Sequence, residues 1–397
     1  MPQAESGSAG RKGFWRSSPC CRVASCRYRS GNRRCSPPRL TDYRKDLLDT
    51  LCAEGEVVWI GRKGPGEKEG RVAFFLAESK ELMRPFTAGR TVTRHAGPLE
   101  LLRRKGASFL TALSRETGRA PSEVMADLLD LAWDGLVSND QFAPLRLHGS
   151  AKAAAPRAGR SGRAAAFQSG LGRWYALESE ESAEDPAHLT ESVMAWVKHL
   201  LAGYGVLTKD IAAEFLPWSW DAVYGTLKRL EIWGVLTRGL WIEDIPALQF
   251  AERETVRELH APPGTRASGI TLLPSTDPAN PYGLTVRWPS ANGPAFARKA
   301  GHYLLLKDGR WSLWIENNGR RIYTMPEYEE GLAAGDEPPE PLKSAAQSIL
   351  AFSGTRKVVI DAWNKTPVTR SEAAETLRRL GAEADRDAFV LWPSVLR

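Results

Sequence analysis

Three groups of residues in this chain have types and spacings that could do chemistry. Cys20, Cys21, Cys26 and Cys35 crowd the stretch FWRSSPCCRVASCRYRSGNRRCSPPR and leave only Cys52 beyond it. A zinc site needs paired half-sites of the CxxC kind, and this spacing, with no histidine among the cysteines, does not supply them. His95, His148, His188, His199, His260 and His302 contain no i, i+4 pair either, so neither a metal nor a cofactor is expected. The second group is aromatic and cationic. Trp220, Asp221, Tyr224 and Lys228 recur at helical spacing in SWDAVYGTLKRLEIWG, and Arg238 and Trp241 follow in VLTRGLWIE. Tyr and Trp stack on bases while Lys and Arg hold phosphates, so this pattern points to nucleic acid. Trp220 reads equally as a core residue, and Trp233, just before Gly234, is expected to close the core under the helix. The third group, Arg310, Trp311, Arg320 and Arg321, would line a groove in a β region. Strand alternation predicts that Trp311 and Trp314 lie on opposite faces, one of them in the core.

Other chemistries lack their signatures. No GxxxxGKS or GxxxxGKT loop, no GxGxxG after a strand, no GxSxG elbow and no HExxH occurs, so nucleotide hydrolysis and the common hydrolase and metalloprotease routes are not legible. Composition describes a folded chain: 397 residues, 42% hydrophobic, with 14 Trp, 12 Phe and 9 Tyr, enough for several cores. No uncharged apolar run approaches the roughly 18 to 20 residues that span a bilayer, and the start lacks a secretory segment, so a cytoplasmic protein with no membrane partner is expected. The net charge of +7 comes from one place, since residues 1–40 hold nine Lys and Arg against Glu5 and leave the remainder at −1. Global charge therefore says nothing about the globular part.

The elements that position these residues repeat. After the helical YRKDLLDTLCAEG, the strands EVVWIG and RVAFFLAE form a hairpin across a Gly/Pro loop. PLELLRRKG, ASFLTALSRETG and PSEVMADLLDLAWDG are three helical segments closed by LVSND. The same order returns in LTESVMAWVKHLLAGYG, LTKDIAAEFLP and SWDAVYGTLKRLEIWG. At an offset of 99, Val124, Leu128, Leu131, Gly135, Leu136, Val137 and Ser138 fall on Val223, Leu227, Leu230, Gly234, Val235, Leu236 and Thr237. Apolar residues at i, i+4 and i+7, then a glycine and a β-prone pair, are what a recognition helix turning into a wing requires. Two winged helices are implied, twin grips for a nucleic-acid strand beside a closed sheet. Beyond them, HYLLLKDGRWSLWIENNGRRIYTM alternates around Asp308-Gly309 and Asn318-Gly319, both type I′ turn signals, which predicts an antiparallel meander. The last stretch reads as strand, helix with Ser371 as N-cap and Gly381 near its end, then strand.

GEVVWIG, RRKGASF, LLDLAWDGLVSNDQFAPLR, GRWYAL, YGVLTKD, VYGTLKRLE, LQFA and TDPANPYG, in this order across residues 37–397, resemble the C-terminal region of the large helicase-related protein (Lhr) family of bacterial repair helicases. The resemblance implies an α+β chain of tandem winged helices followed by an antiparallel β-barrel-like domain, DNA as partner, single-stranded or forked, and an association with removing uracil from DNA. It also implies a carboxylate near the chain's end that stabilises an oxocarbenium sugar or orients water; Asp385 and Asp387 are available, and Asp387 is the candidate, the alternative being a solvated turn acid. The family's motor is missing from this sequence, so helicase activity does not carry over and a separately encoded motor becomes a candidate partner. Alternative functions are a non-catalytic DNA-binding or assembly module and a winged-helix transcription regulator. The expected layout is a basic arm or mis-started segment at 1–36, a first winged helix with hairpin at 37–148, a flexible linker at 149–188, a second winged helix at 189–260, a barrel-like meander at 261–335 and an α/β segment completing the barrel at 336–397.

Overall fold

The computed structural model describes residues 23–27, 45–64, 70–87, 95–147, 172–177, 186–243, 245–261, 269–289, 294–325 and 340–396. They form two compact units, one of residues 1–239 and 248–252, the other of residues 240–247 and 253–397. In the first, strand β1 (Val23–Arg27) precedes α1 (Lys45–Ala53) and the hairpin β2 (Val57–Arg62) and β3 (Arg71–Leu76), followed by α2 (Lys80–Thr87). Next come α3 (Ala96–Lys105), β4 (Ser108–Phe109), α4 (Leu110–Thr117), α5 (Pro121–Trp133), β5 (Val137–Asn139) and β6 (Arg173–Ala176). The order then repeats as α6 (Pro186–Tyr204), β7 (Val206–Leu207), α7 (Lys209–Phe215), α8 (Trp220–Ile232), β8 (Leu236–Gly239) and β9 (Gln249–Glu252).

Both expected winged helices are present. The helices α5 and α8 begin and end 99 positions apart, and their sheets share one strand order, β4-β6-β5 and β7-β9-β8. Each helix ends the same way. Gly135 and Gly234 take positive φ, their N–H groups bond the carbonyls of Ala132 and Glu231, and the next residue's N–H reaches back to Leu131 or Leu230. This left-handed reversal satisfies orphan carbonyls and turns the chain into the wing, a conformation that favours glycine.

The same device occurs a third time, unexpected from the sequence. Gly55 at the end of α1 has φ +76°, its N–H bonds Cys52, the N–H of Glu56 bonds Leu51, and the following sheet is ordered β1-β3-β2. Leu48, Leu51 and Val57 are buried where Leu128, Leu131 and Val137 are buried in the next copy. The hairpin is thus a wing. Within the stretch expected to be a basic arm or mis-started segment, Val23–Arg27 pairs antiparallel with β3, and the rest of residues 1–36 lies outside the described residues.

The span 149–188, expected as a linker, also contains structure: Arg173–Ala176 is the central strand of the first complete winged helix, paired with both β4 and β5. Trp174 is fully buried there, edge-on to Trp59 with ring centroids 6.4 Å apart. A large ring that fills a core fixes this strand despite the Ala/Gly/Ser-rich run before it, which lies outside the described residues.

The second unit holds α9 (Arg253–His260), β10 (Ile270–Pro274), β11 (Tyr303–Lys307), β12 (Arg310–Glu316), β13 (Arg321–Thr324), α10 (Glu340–Ser353), β14 (Val358–Ile360), β15 (Ala362–Trp363), β16 (Thr366–Pro367), α11 (Ala374–Arg379), β17 (Glu383–Asp385) and β18 (Ala388–Leu391). The meander forms as expected, and Asp308 and Gly309 both adopt positive φ in a two-residue turn. The barrel does not. A six-stranded sheet ordered β10-β11-β12-β13-β15-β16 and a three-stranded sheet ordered β14-β18-β17 both stay open. The physical reason is the parallel pair β13–β15, which needs a crossover long enough to hold a helix. α10 supplies it and packs Leu342, Ala345, Ala346 and Ile349 with Tyr303, Leu305, Leu313 and Ile315, so a helix fills the space that closure would enclose. Ser371 does not cap α11, which starts at Ala374; its hydroxyl donates to the Val368 carbonyl at 2.8 Å.

Trp174→Ala tests the reassigned strand. Loss of a buried indole costs about 3–5 kcal/mol, whereas a substitution in a solvated linker stays within about 0.5 kcal/mol. Urea unfolding followed by circular dichroism is expected to show a markedly lower midpoint for the variant.

Candidate nucleic-acid interface

A recognition helix acts through the face that its own core leaves uncovered, and the two complete copies differ there. On α5 the exposed side chains include Glu123 and Asp130, both already paired: Glu123 with Arg119 at 3.5 Å and Asp130 with His95 Nε2 at 3.3 Å. His95 Nδ1 lies 3.0 Å from Asp127, which also binds Arg119. His95, Asp127 and Arg119 line an open groove of about 730 Å³ together with Glu100, Arg104 and Glu116, where opposite charges largely neutralise one another. The end of α5 is covered too, because Gly61 and Gly70 of the hairpin receive Ala132 and Trp133 so closely that a Cβ at either position would collide. The expectation of twin grips is corrected: α5 offers no open cationic face.

The other recognition helix does. Lys228 and Arg229 are exposed on α8 beside the small residues Ala222 and Gly225, with Asp221 the exposed acid of the first turn. Trp220, Tyr224 and Lys228 fall in one line. The two rings are 5.7 Å apart, and the Lys228 Nζ sits 4.8 Å from the Tyr224 centroid, a cation–π contact that fixes the charge over the ring. Trp220 and Tyr224 are half-buried against the core of this copy, and Tyr224 meets Phe250 of β9 edge-on at 6.1 Å. Each ring therefore anchors the helix with one side and presents the other. Arg229 was not singled out from the sequence; helical periodicity, which places it three and four residues from Thr226 and Gly225, was the available signal.

On the wing, Arg238 is exposed but its Nε is held by Glu231 at 2.9 Å. Trp241 and Arg310 belong to the second compact unit, whereas Trp220, Tyr224, Lys228 and Arg238 belong to the first. Trp233, expected in the core, is 62% exposed, next to Ile232 at 81%. The cause is the glycine reversal: Trp233 is the C-cap residue, three positions beyond Leu230, the last buried residue of the helix, and the chain turns away at Gly234.

In the second unit, Asp387 occupies the two-residue turn between β17 and β18 and is exposed, with Asp385 at the end of β17. Its turn partner Arg386 has φ +55°, and the neighbouring turn of β15–β16 places Asn364 and Lys365 at positive φ as well. These two turns enclose an open groove of about 480 Å³ lined by Asp361, Lys365, Asp385, Arg386 and Asp387. Positive φ at these positions is what two-residue hairpin turns of the primed types demand. Arg320 binds Asp361 at 2.9 Å, while Arg321 lies 3.8 Å from the buried Glu316. Trp311 and Trp314 do not lie on opposite faces: Ser312 is an extra residue in β12, a bulge that resets alternation and brings the rings within 6.1 Å.

Cys52 is buried in the first core, where burial, with Asp140 adding to it, pushes its thiol up to about 12. Among the described residues, no group of three His, Cys, Asp or Glu side chains could hold a metal ion, and no helix is long and apolar enough to cross a membrane. Cys20, Cys21 and Cys35 lie outside the described residues.

Comparison with known proteins agrees with the geometry. Residues 186–270 and residues 32–77 match two family models, each described as "Large helicase-related protein, winged-helix domain". The second match covers α1 and the hairpin, the unexpected third copy. The chain is 35% identical over 318 residues to a Mycolicibacterium smegmatis protein named "Lhr helicase/ probable uracil glycosylase", covering 73% of this chain and 21% of that protein. It is 28% identical over 330 residues to the Escherichia coli "Lhr helicase/uracil glycosylase", covering 75% of this chain and 21% of the relative. The chain thus spans about a fifth of the length of these curated relatives. With three helix–glycine–wing units among the described residues and two of them matched at the sequence level, the chain carries winged-helix domains of the large helicase-related protein family.

Proposed function

We propose that this chain grips single-stranded or forked DNA through the α8 face and its wing, as the DNA-binding part of an Lhr-type repair protein. The observation that carries this is the difference between the two recognition helices: α5 is acidic, paired and covered, while α8 presents Lys228 and Arg229 beside half-exposed Trp220 and Tyr224. Cations on such a face track phosphates and the rings offer stacking surface. The wing adds Arg238; Trp241 and Arg310 are proposed as further contacts from the second unit. A separately encoded motor remains a proposed partner.

The finer proposal is removal of uracil, supported by the names of the two relatives and by the groove at Asp387. In that reaction the C1′–N1 bond breaks with its electron pair leaving on the base, which is then protonated. Water adds to C1′, and its proton passes to the carboxylate or to solvent. A carboxylate contributes by stabilising the cationic sugar or orienting the water, and the base must first leave the stack. Asp387 is the proposed role-bearer, with Asp385 beside it. The open, solvated turn equally suits the non-catalytic reading, in which the chain only binds DNA.

Two measurements test these proposals. Lys228→Glu with Arg229→Glu is expected to weaken single-stranded DNA binding and to flatten the dependence of log affinity on log salt by about 0.7 per lost phosphate contact; unchanged binding and slope remove α8 from the interface. Incubation with uracil-containing single-stranded DNA followed by alkali is expected to give strand scission above that of an Asp385→Ala, Asp387→Ala double variant. Equal scission by both proteins eliminates the catalytic proposal and leaves the binding one.

A further inference from the structure

The face of the β10–β13 sheet turned away from α10 carries an aromatic array that the proposed function does not use. Leu304 and Trp314 lie opposite each other across β11 and β12, and the bulge at Ser312 brings Trp311 to the same side. Onto this face the irregular segment that begins with TDPANPYG lays Tyr282, Trp288 and Phe296. Tyr282 and Trp288 have centroids 5.9 Å apart and planes 18° apart; Trp288 and Phe296 have centroids 5.6 Å apart and planes 15° apart. Three rings are thus nearly parallel. Trp311 touches Tyr282 at 5.0 Å and Phe296 at 5.2 Å, while Trp314 stands edge-on beneath Trp288 at 5.5 Å and Phe296 at 5.3 Å.

The array is held in place before any ligand arrives. Gly283 has φ +69° and lies so close under the Trp288 indole that a Cβ would collide with it. The Arg298 guanidinium donates to the carbonyls of Asn280 at 2.6 Å, Asp277 at 3.0 Å and Tyr282 at 3.2 Å, and the Asn280 side chain donates to the Ser275 carbonyl at 2.8 Å. A prearranged surface loses little conformational freedom on binding.

Its exposure and surroundings indicate the occupant. Trp314 is fully buried as the floor, but Tyr282, Trp288, Phe296 and Trp311 are each only half-buried. Arg287 precedes Trp288 and Lys299 follows Arg298, and both cations are exposed. The acids nearby, Asp277 and Glu316, are buried, with Glu316 accepting the Trp314 indole N–H at 3.1 Å. Two buried polar atoms there, His302 Nδ1 and Thr285 Oγ1, have no hydrogen-bond partner, and the buried His302 ring stands edge-on to Trp314 at 5.5 Å. A flat, planar ligand with an anionic tether matches the half-exposed rings and the exposed cations together.

We propose that this array is a stacking platform for unpaired bases of single-stranded DNA, a second contact that rests on the DNA-binding function proposed above. Every base has a π-face, so such a platform accepts any sequence, but a base within a duplex has both faces already covered.

The test compares the full chain's affinity for an oligothymidylate with that for an abasic strand of the same length and charge. The platform predicts tighter binding of the base-bearing strand, by about tenfold or more. It further predicts that Trp288→Ala abolishes this preference and that Trp288→Phe, which keeps a π-face, retains most of it. Equal affinity of the unsubstituted chain for the two strands overturns the platform and leaves the phosphate-tracking reading standing, and this comparison decides even where Trp288→Ala does not fold. An undiminished preference in a folded Trp288→Ala variant also overturns it. Failure to bind either strand overturns the DNA-binding function itself.

Discussion

The β2–β3 hairpin has two buried faces, and the alternation of strand side chains decides what each one holds. Val57, Trp59, Val72 and Phe74 enter the core shared with α3, α4 and α5, while Ile60, Ala73 and Phe75 enter the core built around α6, α7 and α8. A wing that would elsewhere flank a duplex here serves as an internal wall between two winged helices. The wall is bonded as well as packed: the Trp59 indole N–H donates to the Asn139 carbonyl at 2.9 Å, and the Ser138 hydroxyl donates to the Trp59 carbonyl at 2.7 Å. On the other side α2 bridges hairpin and helix, with Trp196 donating to the Leu82 carbonyl at 3.1 Å. A one-residue register slip between β2 and β3 would exchange the two sets and empty both cores, so register here is strongly specified.

That constraint explains why copies of one motif have different surfaces. The repeated glycine reversal fixes the exit of each recognition helix, but the neighbour packed against that exit determines what remains exposed. Leu136 is 4% exposed, whereas Val235, its equivalent in the next copy, is 44% exposed. Burial of α5 on one flank and pairing of its acids on the other leave it a structural role, and the uncovered α8 keeps side chains with a use for solvent-facing charge. Divergence between repeats is therefore a consequence of their position in the stack rather than of their intrinsic fold.

Much of this organisation was legible in the sequence, for reasons specific to each element. The offset of 99 was visible because apolar spacing and a left-handed glycine are both dictated by the backbone, and the meander was visible because Asp308-Gly309 is a turn that few residue pairs can make. The third copy was equally encoded, in Leu48, Leu51, Gly55 and Val57, yet its helix is short and only its second half carries the pattern. Arg173–Ala176 was hidden by the composition in front of it, since four residues are too few to register alternation. The Trp311 and Trp314 pair was misplaced because a bulge adds one residue without any marker in Trp-Ser-Leu-Trp. At the candidate site, Trp220, Tyr224 and Lys228 were legible as a helical line, whereas the partner of Arg238 and the exposure of Trp233 depend on tertiary neighbours that no local pattern contains.

The open sheet of the second unit follows from the same kind of reasoning. A closed barrel turns one face of its sheet inward and leaves the other to solvent. Here the crossover between β13 and β15 commits one face to α10, so the opposite face must be covered by something other than strands. Residues 275–289 and 294–300 do this with rings rather than with a second helix, and the side chains of Arg298, Asn280 and Ser275 tie their turns together by donating to backbone carbonyls. Burial pushes His302 below the usual imidazole range, with Lys299 and Arg321 adding to this against the opposing pull of Glu316, so the ring under the cluster is held neutral and adds no charge to the aromatic face. A neutral floor beside exposed cations is the arrangement that the proposed platform requires: phosphates would meet charge at the edge and bases would meet carbon at the centre, a division that needs no reading of sequence.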